Sequence, residues 1–209
     1  LLINIKPDEF RYRKLLIGLL LAVILIVQIN QPFPEMAWMQ HLPTMLLIIF
    51  SPLLLRRWPI NDAALAFIIL FLILHSIGGR YAYSNVPYNR WSQDIFGFHL
   101  NEIMGWTRNH YDRLVHYFFG FCALLPFAQL SKSAGHSASF SVKLAIGFVL
   151  AASCIYEIFE WLLTIFMAGE TAARYNGQQG DIWDAQKDMA LAAIGAMTLY
   201  WPVKKWIDH

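Results

Sequence analysis

IGFVLAASCIYEIFEWLLTIFMA, residues 146–168, is long and apolar enough to cross a bilayer as one helix, yet it carries Glu157 and Glu160 in mid-span. An isolated ionised group at that depth costs at least ~2.5 kcal/mol on insertion scales, so intramembrane acids mark functional sites by default. The two carboxylates are three residues apart and share one helical stripe. A second apolar stretch, Met189–Val203, is led in by Asp184 and Asp188, four residues apart.

The rest of the chain agrees with lipid as its solvent. Of 209 residues, 57% are hydrophobic and only 14% charged, with a mean hydropathy of +0.44, and the charges cluster between apolar blocks. Six such blocks are legible: Lys14–Ile29, Leu42–Leu55, Ile60–Ile77, Leu114–Leu130, Ser141–Ala168 and Met189–Val203. With its flanks each approaches the ~20 residues that span ~30 Å of hydrocarbon. The second block is the weakest, having Pro43 and Pro52 near its ends, and a re-entrant helix is the alternative there. Leu15–Ile29 reads as an anchor rather than a cleaved leader, since Gln28, Asn30 and Pro32 follow with no small-x-small cleavage site. Cys122 and Cys154 lie inside apolar blocks and form neither a disulfide framework nor a zinc spacing.

The expected fold is therefore all-α: a polytopic integral membrane protein, a six-transmembrane-helix bundle with an outer-face loop rich in aromatics. Residues 1–209 form a single transmembrane domain with no separate soluble domain. With both termini cytoplasmic, the inner side receives Lys6, Arg11, Arg13, Lys14, Arg56, Arg57, Lys132, Lys143, Lys204 and Lys205. The outer side receives Arg80, Arg90, Arg108, Arg113, Arg174 and Lys187, and this imbalance follows the positive-inside rule of a bacterial inner membrane. The loop from Gly78 to Tyr111 carries Tyr81, Trp91, Phe96, Phe98 and Trp106, rings suited to the headgroup layer. Asp94–Met104 is predicted as a short interfacial helix, and Gly169–Gly180 as a tight return to the sixth span. A net charge of +2 without a basic patch or glycine-rich phosphate loop gives no argument for nucleic acid.

Spacing gathers the candidate site. Asp112 and His116 are four apart at the start of the fourth span, and Asp181, Asp184 and Asp188 continue one stripe into the sixth. His75 ends the third span, just before Arg80. The expectation is one outward-opening polar funnel. In it His116, Asp112, Glu157 and Glu160 are the candidate catalytic groups, and Glu160, Asp181, Asp184, Asp188 and His75 the candidate metal ligands. Arg80, Arg113, His99 and Glu102 are the candidate substrate contacts. Clustered oxygen donors suit a hard cation, so Mg²⁺ or another divalent cation is the candidate cofactor while the sequence leaves its presence open. A satisfied network, with Arg113 or Lys187 neutralising acids, is the structural alternative. Ala192, Ala193, Gly195 and Ala196 offer a small face for close helix packing.

From Asp112-Arg113-Leu114-Val115-His116, through Tyr156-Glu157-Ile158-Phe159-Glu160, to Asp181–Asp188 and Gly195-Ala196, the C-terminal half resembles the VanZ-like family of small bacterial membrane proteins. The whole chain is similar in length and pattern to the YjdF family of bacterial inner-membrane proteins. The VanZ-like pattern places an acid, a base and a His where Asp112, Arg113 and His116 stand. It has Gln and Asn where this chain has Glu160 and Asp188, and the two added charges favour a metal while weakening transfer of any mechanism. The resemblance implies an envelope or lipid role and no settled activity.

Three classes stay open on the sequence. The first is an enzyme acting on a lipid or lipid-linked envelope substrate, with metal-assisted hydrolysis of a phosphate ester as its concrete form. The second is a proton- or ion-coupled transporter or a lipid-binding protein, and the third a structural or regulatory partner of envelope machinery. Membrane lipids are the expected partners, with an envelope protein or a second copy of the chain as further candidates.

Overall fold

The computed structural model describes residues 10–166 and 179–208, and among these it forms nine helices and no strand. They are α1 (Arg13–Gln28), α2 (Pro34–Arg57), α3 (Asp62–Arg80), α4 (Tyr88–Phe96), α5 (Leu100–Met104), α6 (Tyr111–Ser133), α7 (Ala138–Phe166), α8 (Asp184–Thr198) and α9 (Tyr200–Asp208). The expected return Gly169–Gly180 lies outside the described residues but for Gln179 and Gly180, as do Lys6, Asp8, Glu9, Glu170, Arg174 and His209.

Burial runs opposite to that of a water-soluble protein. Leu15 (68%), Ile49 (66%), Ile155 (66%) and Trp161 (61%) are exposed, whereas His41, Ser76 and Ser141 are fully buried and Asp188 nearly so. Apolar surface on that scale is stable only against hydrocarbon, and polar groups turned inward avoid it. The chain is a polytopic helical membrane protein.

Four helices are long and apolar enough to cross by length and composition: α2, α3, α6 and α7. Six crossings were expected. α1, with 16 residues, rises about 24 Å and α8, with 15, about 22 Å, each short of ~30 Å without its flanks. α2 runs unbroken through Pro43 and Pro52 for 24 residues, so the block read as weakest is one long helix. The predicted interfacial helix Asp94–Met104 is instead two pieces, because Gly97 takes a left-handed conformation (φ 79°) that ends α4.

α6 is the centre, packed against α8, α7 and α3, while α1 and α2 pack on α3. Its tightest contact needs small residues: a Cβ on Gly120 would overlap the Ala192 carbonyl, and one on Gly195 the Tyr117 carbonyl. Ala192 and Ala196 complete that face and are fully buried. Since α6 and α8 begin at the same end at which α7 finishes, the entrances of α6 and α8 meet the last turns of α7. There the acids collect.

Candidate metal centre

Two turns of α6, two of α7 and two of α8 build the site. On α6 the four-residue spacing puts Asp112 above His116, with Asp112 Oδ1 3.7 Å from His116 Nε2. The same Nε2 lies 3.7 Å from Glu157 Oε1 on α7. Asp188, two turns' distance into α8 from Asp181, completes a group: one donor atom each from Asp112, His116 and Asp188 lies within 4.8 Å of the other two. Glu160, one turn beyond Glu157, hydrogen-bonds Tyr156 and is close enough to Asp112, Glu157 and Asp188 to be repelled by each. The Tyr156 ring stands 5.9 Å from that of His116.

These groups are hidden. Asp112, His116, Glu157, Glu160, Asp184 and Asp188 are all 2–8% exposed. Asp188 Oδ1 and Glu157 Oε1 are buried without a hydrogen-bond partner, which in a low-dielectric interior is costly unless a cation, proton or water meets them. Two donors on one magnesium ion can be at most about 4 Å apart, twice the ~2.1 Å bond. Adjacent donors on such an octahedral ion stand about 3 Å apart, so the three atoms need to close by about 1–2 Å to share one. The group fits a divalent cation.

A cap of ion pairs covers its mouth. Arg108 Nη1 bonds Asp184 Oδ1 at 2.9 Å, Arg113 Nη2 lies 3.3 Å from the same oxygen, and Arg113 also bonds Asp181 Oδ2. Lys187 Nζ reaches Asp181 Oδ2 at 2.6 Å, and the Trp183 N–H donates to Asp181 Oδ1 at 3.1 Å. Together Lys187, the Trp183 amide and Arg113 hold the Asp181 carboxyl well below the usual carboxylate range. The His110 ring lies 4.4 Å from that of Trp106, tilted by 32° to it, and burial, then the Arg113 and Arg108 charges, lower its basicity. It stays a neutral acceptor for Arg113 Nη1 at 3.3 Å.

Of the residues proposed from the sequence, Asp112, His116, Glu157, Glu160, Asp184 and Asp188 come together. Asp181 belongs to the cap, and Arg113 is engaged there. His75 is elsewhere: its Nε2 donates to the Gln40 carbonyl at 2.9 Å and its Nδ1 accepts from the Tyr83 hydroxyl, so neither nitrogen faces the acids. The Tyr83 ring reaches it by lying on Gly78, where a Cβ would stand 2.7 Å from the ring. Arg80 is spent on α1, donating to the carbonyls of Val27 at 2.6 Å and Ile29 at 2.7 Å, the last carbonyls of that helix and its exit. His99 and Glu102 are exposed on the α4–α5 segment and have no bond to the cluster among the described residues. Sequence reasoning missed Arg108. Its signal was its place five residues before Arg113, just ahead of α6, with acids in excess nearby.

A helical membrane protein with an acid–histidine centre buried at one end of its bundle is thus the class that the fold and site define. The chain belongs to the family described as "Predicted membrane protein (DUF2238)", which matches residues 12–209. It is similar to the "Inner membrane protein YjdF" of Escherichia coli (strain K12), with 31% identity over 186 residues, 87% of this chain and 84% of that relative. No solved structure matches it. The resemblance of the C-terminal half to the VanZ-like family finds no support in these matches.

Proposed function

We propose that this is a bacterial inner-membrane protein of six helical crossings, with both termini cytoplasmic. Asp112, His116 and Asp188 would hold a divalent cation for the hydrolysis of a phosphate ester of a lipid or lipid-linked envelope substrate at its outer face. The observation that carries the reading is the buried Asp188 carboxylate, with an unpartnered oxygen, beside donor atoms of Asp112 and His116. The location rests on the similarity to YjdF and on the apolar helices. The fifth and sixth crossings rest on α1 with its flanks, and on α8 continuing into α9 past Leu199 alone.

Lipid diffusion would bring the substrate's head to the mouth while its tail stays in hydrocarbon. There the phosphate can take over the guanidinium bonds that Arg108 and Arg113 give to Asp181 and Asp184, since guanidinium pairs phosphate as readily as carboxylate. The cation would lower the pKa of a bound water and polarise the phosphoryl oxygen. Glu157 takes the proton of the attacking water. The new phosphorus–oxygen bond would form as the ester bond breaks, and the proton taken up by Glu157 would pass to the leaving alkoxide, His116 staying neutral as a ligand. Glu160 would add a further carboxyl group beside Asp112, Glu157 and Asp188.

Transport is the competing reading, since His116 stands equally close to Asp112 and Glu157 and could pass a proton between α6 and α7. A transport path should continue toward the other membrane face. The cavity between α1, α2, α3 and α6 at that end is apolar apart from Ser51, so no polar path runs on that side of α6.

Purified protein incubated in mixed micelles with phosphatidic acid or a polyprenyl diphosphate, with and without Mg²⁺ or Mn²⁺, tests the proposal by phosphate release. Metal-dependent release that is lost in Asp188→Asn and His116→Ala is expected. Release unchanged in both variants, or no release from either lipid with metal bound, overturns it.

A further inference from the structure

At the opposite end of the bundle, where α2 and α6 finish and α3 and α7 begin, two cavities share a wall made by Trp58, Phe127 and Leu130. The first, about 450 Å³, lies between α1, α2, α3 and α6, and apart from Ser51 its lining is aliphatic and aromatic, including Leu20, Leu47 and Leu72. The second, about 790 Å³, lies between α6 and α7 beside Gly147 and Ala151, with Arg57, Ser131, Ser133 and His136 among its polar lining. Both volumes fall in the ~300–1,000 Å³ range of small-molecule sites.

What fills them follows from where they are. The helices that bound them cross the bilayer, so the fluid at their openings is lipid, and an empty apolar cavity would forfeit dispersion contacts that a chain of methylenes supplies. The polar end of the pair carries positive charge. Arg56 and Arg57 are exposed at the end of α2, and among the described residues neither has an ion-pair partner. Arg57 lies over the Trp58 ring, 5.5 Å from its centre, in the amphipathic arrangement found at headgroup depth. The Ser131 hydroxyl in the second cavity is buried with no hydrogen-bond partner.

We infer that the paired cavities seat the two acyl chains of one anionic glycerophospholipid, with its phosphate against Arg56 and Arg57. The shared Trp58–Phe127–Leu130 wall divides the chains as the glycerol carbons divide them. A single-tailed amphiphile fills one cavity and leaves the other open. This site is independent of the acid–histidine centre at the other end and takes lipid as a resident ligand, with no reaction.

Native mass spectrometry of the full chain in detergent, titrated with phosphatidylglycerol or phosphatidylethanolamine, reads the site directly. One phosphatidylglycerol retained per chain is expected, held at least tenfold more tightly than phosphatidylethanolamine. The double variant Arg56→Gln/Arg57→Gln removes two surface charges and should weaken phosphatidylglycerol by about thirtyfold while leaving phosphatidylethanolamine unchanged. Gly147→Phe adds a ring where nothing lies within 4 Å of the new Cβ. It should fill the second cavity and weaken both lipids with the charges intact. Equal retention of the two lipids overturns the inference, as does phosphatidylglycerol binding that survives the double variant. So does a dimer of the chain carrying no lipid, which would mean that a second copy covers this face. The arginine arm decides even if Gly147→Phe fails to fold.

Discussion

Arg108 Nη1 sits 2.9 Å from Asp184 Oδ1, tying the segment ahead of α6 to the first turn of α8 across 76 residues of sequence. Arg113 shares both Asp184 and Asp181 with it, so the two arginines back each other up. Removing one leaves Asp184 paired. Removing both leaves a carboxylate that is 4% exposed without a counter-charge.

Arg108→Gln and Arg113→Gln are therefore expected to cost about 1–2 kcal/mol each, while the double variant should exceed their sum by about 1 kcal/mol or more. Denaturant unfolding in mixed micelles measures the cycle. Simple additivity would show that the two guanidiniums do not share their acids.

The Asp181 contribution should survive mild acid. Its carboxyl is held below the usual range by Lys187 first, then by the Trp183 amide and Arg113, so the folded state binds its proton later than the unfolded chain. A depressed carboxylate gives stability that is complete above the unfolded pKa of ~3.9 and is lost as pH falls through the lower folded value. The melting temperature gap between the protein and Asp181→Asn should hold constant from pH 7 to about pH 5 and narrow only below about pH 4. A gap that closes by pH 6 would contradict this assignment.

Gly120→Ala should cost about 1–3 kcal/mol, because the added methyl overlaps the Ala192 carbonyl and neither backbone can yield without moving its helix. Gly147→Ala, at a position with open space, serves as the helical control. Thermal melts of the pair decide. Equal melting temperatures would mean that α6 and α8 are farther apart than described.

The proposed six crossings would put the end of α6 and the C-terminus on the cytoplasmic side. Reporter fusions after Lys132 and at His209 should both give a cytoplasmic signal, in line with the excess of inner basic residues. A periplasmic signal at either position refutes the topology.

Much of the centre was legible because helical spacing is rigid. Asp112 with His116, Glu157 with Glu160, and Asp184 with Asp188 each had to share a stripe once their segments were helices, and burial of charge in lipid requires stripes to face one another. Spacing says nothing about the rotation of a lone group, and His75 was lost for that reason. Its direction depends on a reversal at Ala82 and Tyr83, both with positive φ, which lays the Tyr83 ring on Gly78 and turns His75 toward α2. Gln40 and His41 were passed over in a helix whose prolines drew attention to its continuity. Arg80 and Arg108 had legible charge but illegible partners, since one closes α1 and the other α8, far away in sequence.

The glycine contact between α6 and α8 also makes a fulcrum. Gly120 lies one turn from His116, about 6 Å along α6, and Gly195 lies about 10 Å along α8 from Asp188. The contact runs over one turn of each helix, from Tyr117 to Phe121 on α6 and from Ala192 to Ala196 on α8, and about 10° of rotation about it at that arm length would carry Asp188 nearly 2 Å. A small swing of α8 would thus move the Asp188 carboxylate against Asp112 and His116 by about the length of one metal–oxygen bond.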